Sequence, residues 1–119
     1  MHFLKNRLKS FVYAFQGIKT MFRETPNALI HLILTILAIT LGFILRISTG
    51  EWLAVCIVIG LVFAAEAINT AVEKLADYAC EKQPDPTIKK VKDLAAAGVL
   101  FAALAALAVG IVVFLPKII

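Results

Sequence analysis

Three long apolar stretches crowd into only 119 residues, and they leave a soluble fold almost no room. Ala28 to Leu45 carries no charge and is interrupted only by His31, Thr35, Thr40 and a glycine. Trp52 to Ala65 is unbroken, and helical periodicity carries it on through Leu75. Leu94 to Leu115 again has no charge. Each approaches or reaches the roughly 20 residues needed to cross a bilayer as a helix. A globular core built from so short a chain could not cover three such segments. With 61% hydrophobic residues and a mean hydropathy of +0.93, the sequence predicts one all-α integral membrane domain. We place span one at 27–47, span two at 52–79 and span three at 93–115. The first stretch follows basic residues, as a secretory leader would. Its length, its lack of a small-residue cleavage site and the two spans behind it mark it as retained.

Charge sets the expected orientation. Lys5, Arg7, Lys9, Lys19 and Arg23 precede span one, and Lys74, Lys82, Lys89, Lys90 and Lys92 lie around the connection between spans two and three. The first connection holds only Arg46 and Glu51. Basic loops stay on the cytoplasmic side, so the N-terminus and second connection are expected there. The formal charge of +4 then speaks for membrane topology and anionic headgroups, not nucleic acid.

Residues 1–24 have a different pattern. Leu4, Leu8, Phe11, Val12, Phe15, Ile18 and Phe22 recur at helical spacing, with Lys5, Lys9, Gln16, Lys19 and Arg23 on other faces. Such a segment predicts an amphipathic helix lying at the membrane surface. Thr25-Pro26 restarts the chain, threonine as an N-cap and proline at the first helical position. Between Cys80 and Val91, Pro84 and Pro86 interrupt any helix. Asp93 then stands where it could cap span three or take part in chemistry. Span three is rich in small residues, Ala95 to Gly98, Ala102, Ala103, Ala105, Ala106 and Ala108, which permits close helix contact within or between subunits.

Against this apolar background Glu66, Asn69 and Glu73 fall at i, i+3 and i+7, within an arc roughly 60° wide on a helix. Asp77 extends the stripe. Carboxylates in or at the edge of a membrane are costly unless partnered and point to function. Two glutamates flanking an asparagine form a plausible seat for a divalent cation or a metal–phosphate complex. Glu24, Asn27 and His31 repeat the same spacing. Cys56 and Cys80 lie about 36 Å apart along one helix, too far for a disulfide. No zinc spacing, serine nucleophile motif or phosphate-cradling glycine loop is present. Three spans cannot enclose such a stripe alone, so self-association is expected.

Glu66-Ala-Ile-Asn69-Thr-Ala-Val-Glu73-Lys-Leu-Ala-Asp77, followed by Lys92-Asp93-Leu-Ala-Ala-Ala-Gly-Val-Leu, resembles the signature of the bacterial integral-membrane diacylglycerol kinase and undecaprenol kinase family. The likeness extends to the amphipathic start, to Asn27-Ala-Leu-Ile-His31 and to Phe114-Leu-Pro-Lys117. It implies an ATP-dependent lipid kinase that uses Mg2+ and forms a homotrimer with active sites between subunits near the cytoplasmic surface. Residue by residue, it implies Glu66 as general base toward the lipid hydroxyl and Glu73 as a carboxylate for the magnesium accompanying ATP. Asn69, Lys92 and Asp93 match groups contacting the nucleotide's phosphates and metal, and Tyr13 matches a nucleotide-contacting tyrosine. The family's second metal glutamate would fall at Thr25, and Glu24 beside it is the substitute. The alanines after Lys92-Asp93 and the Phe-Leu-Pro-Lys ending look nearer the undecaprenol branch than the diacylglycerol branch. A small oligomeric ion-coupled transporter is the competing class, but it would more often place its carboxylate at mid-bilayer, with broken helices or inverted repeats.

Overall fold

The structure is a computed structural model describing residues 1–81 and 83–119. Lys82, counted above among the loop cations, lies outside the described residues. Four helices follow in order: α1 His2–Glu24, α2 Pro26–Ile44, α3 Thr49–Cys80 and α4 Pro86–Ile118. The last three are long and apolar enough to cross a membrane.

Each helix end has a local cause. Thr25 closes α1, its N–H bonding Met21 O at 2.8 Å, and opens α2, its carbonyl accepting from Ala28 N at 3.1 Å. Its extended backbone and Pro26 break the helix between them. The expected side-chain cap is absent here, because the Thr25 hydroxyl bonds Thr70 instead. At the far end of α2 the Ile47 N–H reaches back to Gly42 O at 3.1 Å while Arg46 takes φ 53°, a left-handed stop. Ser48 then starts α3 with a capping box, its hydroxyl accepting from Glu51 N and its own N–H donating to Glu51 Oε1.

Span three corrects the expectation at its start. The helix begins at Pro86, not 93, and Asp85 caps it by accepting from Thr87 N and Ile88 N. Asp93 is therefore no cap. Its apolar run does begin near 93, but two polar turns precede that run inside the same helix. Proline at the first helical position lacks only an N–H that would be unpaired anyway. Pro116 is carried within the last turns of α4.

α3 and α4 form the most extensive contact, an antiparallel pair fastened near both ends. Lys117 Nζ lies 3.2 Å from Glu51 Oε1 at one end, and Lys92 pairs with Asp77 at the other. Near the Lys117 end, Ile47, Val55 and Val113 are buried, with Trp52, Ile59, Val109 and Phe114 packed on them. Gly42 admits the Trp52 ring there: a Cβ at Gly42 would sit 2.6 Å from the indole. α1 lays Ala14, Gly17, Ile18 and Met21 toward Phe63, Ala67 and Thr70 of α3, leaving Phe11 and Phe15 exposed.

Candidate active site

The polar stripe on α3 divides into two rows. Glu66, Thr70 and Lys74 stand at i, i+4 and i+8, and each is bonded across to a different element. Glu66 Oε1 shares a hydrogen bond of 3.0 Å with His31 Nε2 of α2. The Thr70 and Thr25 hydroxyls are 2.7 Å apart at the junction of α1 and α2. Lys74 Nζ lies 2.7 Å from Glu24 Oε2 at the end of α1. Residues four apart on a helix share a face, so one row fastens α2, the junction and α1 in succession. Asn69, Glu73 and Asp77 form the second row, turned about 60° away. Asn69 Nδ2 donates to Glu73 Oε1 at 3.1 Å, and Lys92 Nζ of α4 donates to Asp77 Oδ1.

Burial separates the rows further. Glu66 is 1% exposed, the largest fully buried side chain among the described residues. A carboxylate so placed must be partnered, and His31 is the partner, its ring edge-on to Phe63 at 6.4 Å between centroids. Glu73 is exposed, whereas Asn69 is half-buried, with an Oδ1 that is shielded from solvent and has no hydrogen-bond partner among the described residues. A buried amide oxygen without a donor is costly and marks a place where a ligand could restore the missing bond.

The expected site residues are brought together only in part. Glu66, Asn69 and Glu73 follow one another from the middle of α3 toward its C-terminal end, where Lys92 joins Asp77. Asp93 turns instead to Lys89, 2.7 Å away and one turn earlier on α4. Glu24 is held by Lys74, not joined to Glu73. Tyr13 is 65% exposed on α1 and makes no hydrogen bond among the described residues. Sequence reasoning left out the partners: His31 for Glu66, Lys74 for Glu24, and Asp77 for Lys92. The 66/70/74 spacing was the available signal for the first row, hidden because Thr70 and Lys74 read as ordinary polar residues.

Among the described residues no three His, Cys, Asp or Glu side chains gather as a metal-binding group. Magnesium does not require one, since it binds through one or two carboxylates and completes its shell with water and phosphate oxygens. The free Asn69 Oδ1 beside the exposed Glu73 carboxylate offers hard oxygen donors of that kind. From His31 toward the Lys117 end of the bundle runs an apolar groove of about 560 Å³ between α2, α3 and α4. His31 and Thr35 line it near Glu66, and Val62, Ala106 and Phe114 are among its walls.

Fold and site together define a helical membrane protein with a buried, histidine-held carboxylate beside a more open row of oxygen ligands. A family model described as prokaryotic diacylglycerol kinase matches residues 12–114. The chain belongs to that family, and it is thereby an enzyme, a lipid kinase with ATP as co-substrate. It is 34% identical over 115 residues to the undecaprenol kinase of Bacillus subtilis, covering 97% of this chain and 93% of that protein. With a diacylglycerol kinase of Synechocystis sp. it shares 33% identity over 113 residues, 95% of this chain and 65% of that protein. No solved structure matches the chain.

Proposed function

We propose that the protein transfers the γ-phosphoryl group of ATP to the hydroxyl of a membrane lipid alcohol, undecaprenol ahead of diacylglycerol. The observation that carries this reading is the buried Glu66, whose hydrogen-bond partner His31 lines one end of an apolar groove. A lipid with a single tail in that groove would present its terminal hydroxyl near the carboxylate. The near full-length likeness to an undecaprenol kinase supports the same substrate.

In the reaction, Glu66 accepts the hydroxyl proton. The oxygen's electron pair forms the new bond to the γ-phosphorus, and the bond from phosphorus to the bridging oxygen breaks, leaving ADP. Phosphoryl transfer needs charge neutralisation and alignment more than covalent help. Asn69 and Glu73 would hold magnesium, which when bound neutralises the triphosphate. Glu24 is the candidate second carboxylate, freed when Lys74 releases it. Lys92 exchanges Asp77 for a phosphate oxygen, and Asp93 orders the same segment through Lys89.

Tyr13 belongs to this site only if α1 covers a neighbouring subunit, and its exposure supports a homotrimer with shared sites. The exposed Phe11 and Phe15 of α1 support a helix resting on the bilayer, with the N-terminus cytoplasmic in a bacterial inner membrane. The deciding experiment incubates purified protein with labelled ATP, magnesium and either undecaprenol or diacylglycerol in mixed micelles. We expect faster labelling of undecaprenol. Preferential labelling of diacylglycerol would reverse the substrate assignment, and no labelled lipid from folded protein would end the kinase reading. Mixing Glu66→Gln subunits with Tyr13→Ala subunits should restore part of the activity if sites are shared.

A further inference from the structure

We propose that His31 is a positioning residue for Glu66. In this arrangement its Nε2–H donates to Glu66 Oε1, which fixes the carboxylate and leaves Oε2 as the oxygen that takes the substrate proton. The inference rests on the reading of Glu66 as base and goes beyond it, because it assigns a tautomer and a role to a residue of another helix.

Three observations carry it. The two side chains lie 3.0 Å apart, and Glu66 makes no other side-chain hydrogen bond among the described residues. Its orientation therefore depends on one contact. The His31 ring is itself braced, meeting Phe63 edge-on at 6.4 Å between centroids. The imidazole also lines the apolar groove, so it stands between the lipid's path and the carboxylate. The nearby charged groups are occupied elsewhere. Glu24 is with Lys74, Asp77 is with Lys92 and Asp93 is with Lys89, while Glu73 is bonded to Asn69.

Chemistry then selects the direction of the bond. A carboxylate has only acceptors, so a Glu66 ready to accept a proton requires its single partner to donate. If the imidazole instead carried its proton on Nδ1 alone, the bond would need a protonated Glu66, which could not serve as base. Partners that orient the ligands of a metal site change affinity or activity by about 10–100-fold when lost, and the same scale is expected for a partner that orients a base.

Two measurements test the proposal. In a His2→Asn background, 15N-labelled histidine leaves one imidazole to observe. We expect its Nε2 to carry a proton at the pH of turnover. A bare Nε2 overturns the proposal, and this readout needs neither activity nor a change at position 31. The second compares His31→Leu with His31→Gln in the lipid kinase assay. Loss of the donor in His31→Leu should lower kcat about 10–100-fold with the KM for ATP unchanged. The side-chain amide of His31→Gln should recover at least part of that loss. Equal loss in both variants, no loss in His31→Leu, or a rise in KM for ATP that accounts for the effect would each overturn it. If His31→Leu does not fold, His31→Gln against wild type and the nitrogen resonance still decide. A wild-type protein that labels no lipid would defeat the kinase reading by itself, and the resonance would then judge the bond alone.

Discussion

The two rows on α3 use similar side chains for opposite ends. In the 66/70/74 row every polar group is matched across a helix interface, to His31, Thr25 and Glu24 in turn. In the 69/73/77 row one bond lies within α3, one goes to α4, and Asn69 Oδ1 is left without a partner. The first row satisfies its hydrogen bonds by organising neighbouring helices. The second leaves the Asn69 Oδ1 unpartnered and the Glu73 carboxylate exposed, which is why the proposed cation site is placed there. Glu66 is the exception that joins them, since it is bonded like a structural group but keeps one oxygen outside its single contact.

The strongest way to break the comparison is Glu66→Gln. The amide keeps the shape and can still accept from His31, so thermal stability should stay close to wild type. Turnover should fall about 10²–10⁴-fold, the range for a general base, with nucleotide affinity preserved. Equal loss of ATP affinity would move Glu66 into the nucleotide's own shell. Next is Glu73→Gln. Removing one negative charge from a hard-cation site should raise the magnesium concentration for half-maximal activity by about tenfold, and a titration measures it directly. An unchanged titration curve would empty the second row of its proposed metal. In the same titration Glu24→Gln should give a smaller shift, because Lys74 already holds that carboxylate.

Thr70→Val tests the first row without touching chemistry. It strands the Thr25 hydroxyl, which is buried, and should cost about 1–3 kcal/mol of stability in detergent. Activity per folded molecule should change by less than about threefold if that row only organises helices. The smallest effect is expected for Asp77→Asn. The pair it weakens is largely exposed, and such pairs contribute little. A modest change in KM for ATP, with the lipid KM constant, would fit Lys92 moving from Asp77 to phosphate.

What could be read in advance follows from which forces are local. The apolar runs determine the three long helices because burial in lipid requires helical backbone over each run. Pro26 marks one start, and Asp85-Pro86 repeats its pattern, a second start that the polar composition of residues 80–91 hides. Glu66, Asn69 and Glu73 were legible as polar interruptions on one arc. Their division into rows was not, because it depends on where α1, α2 and α4 cross α3. The Lys92–Asp77 pair likewise joins residues whose separation is set only by the packing of α3 on α4. The pairing of Lys89 with Asp93, at i and i+4, needed no tertiary information and was available from spacing alone.

The unequal lengths of the spans have a further consequence. α2 has 19 residues and α3 has 32, or about 28 Å and 48 Å at 1.5 Å per residue. A hydrocarbon layer about 30 Å deep fits the first and is overrun by the second. Counted along α3 from Thr49, Glu66 falls at about 26 Å and Glu73 at about 36 Å. With that layer beginning at Thr49, its edge falls between Glu66, the proposed proton acceptor, and Glu73, the proposed cation ligand. A thicker bilayer would draw Glu73 into hydrocarbon, and a thinner one would let water reach Glu66. Lipid chain length would then bear on the proposed chemistry through hydrophobic mismatch, with no contact to either substrate.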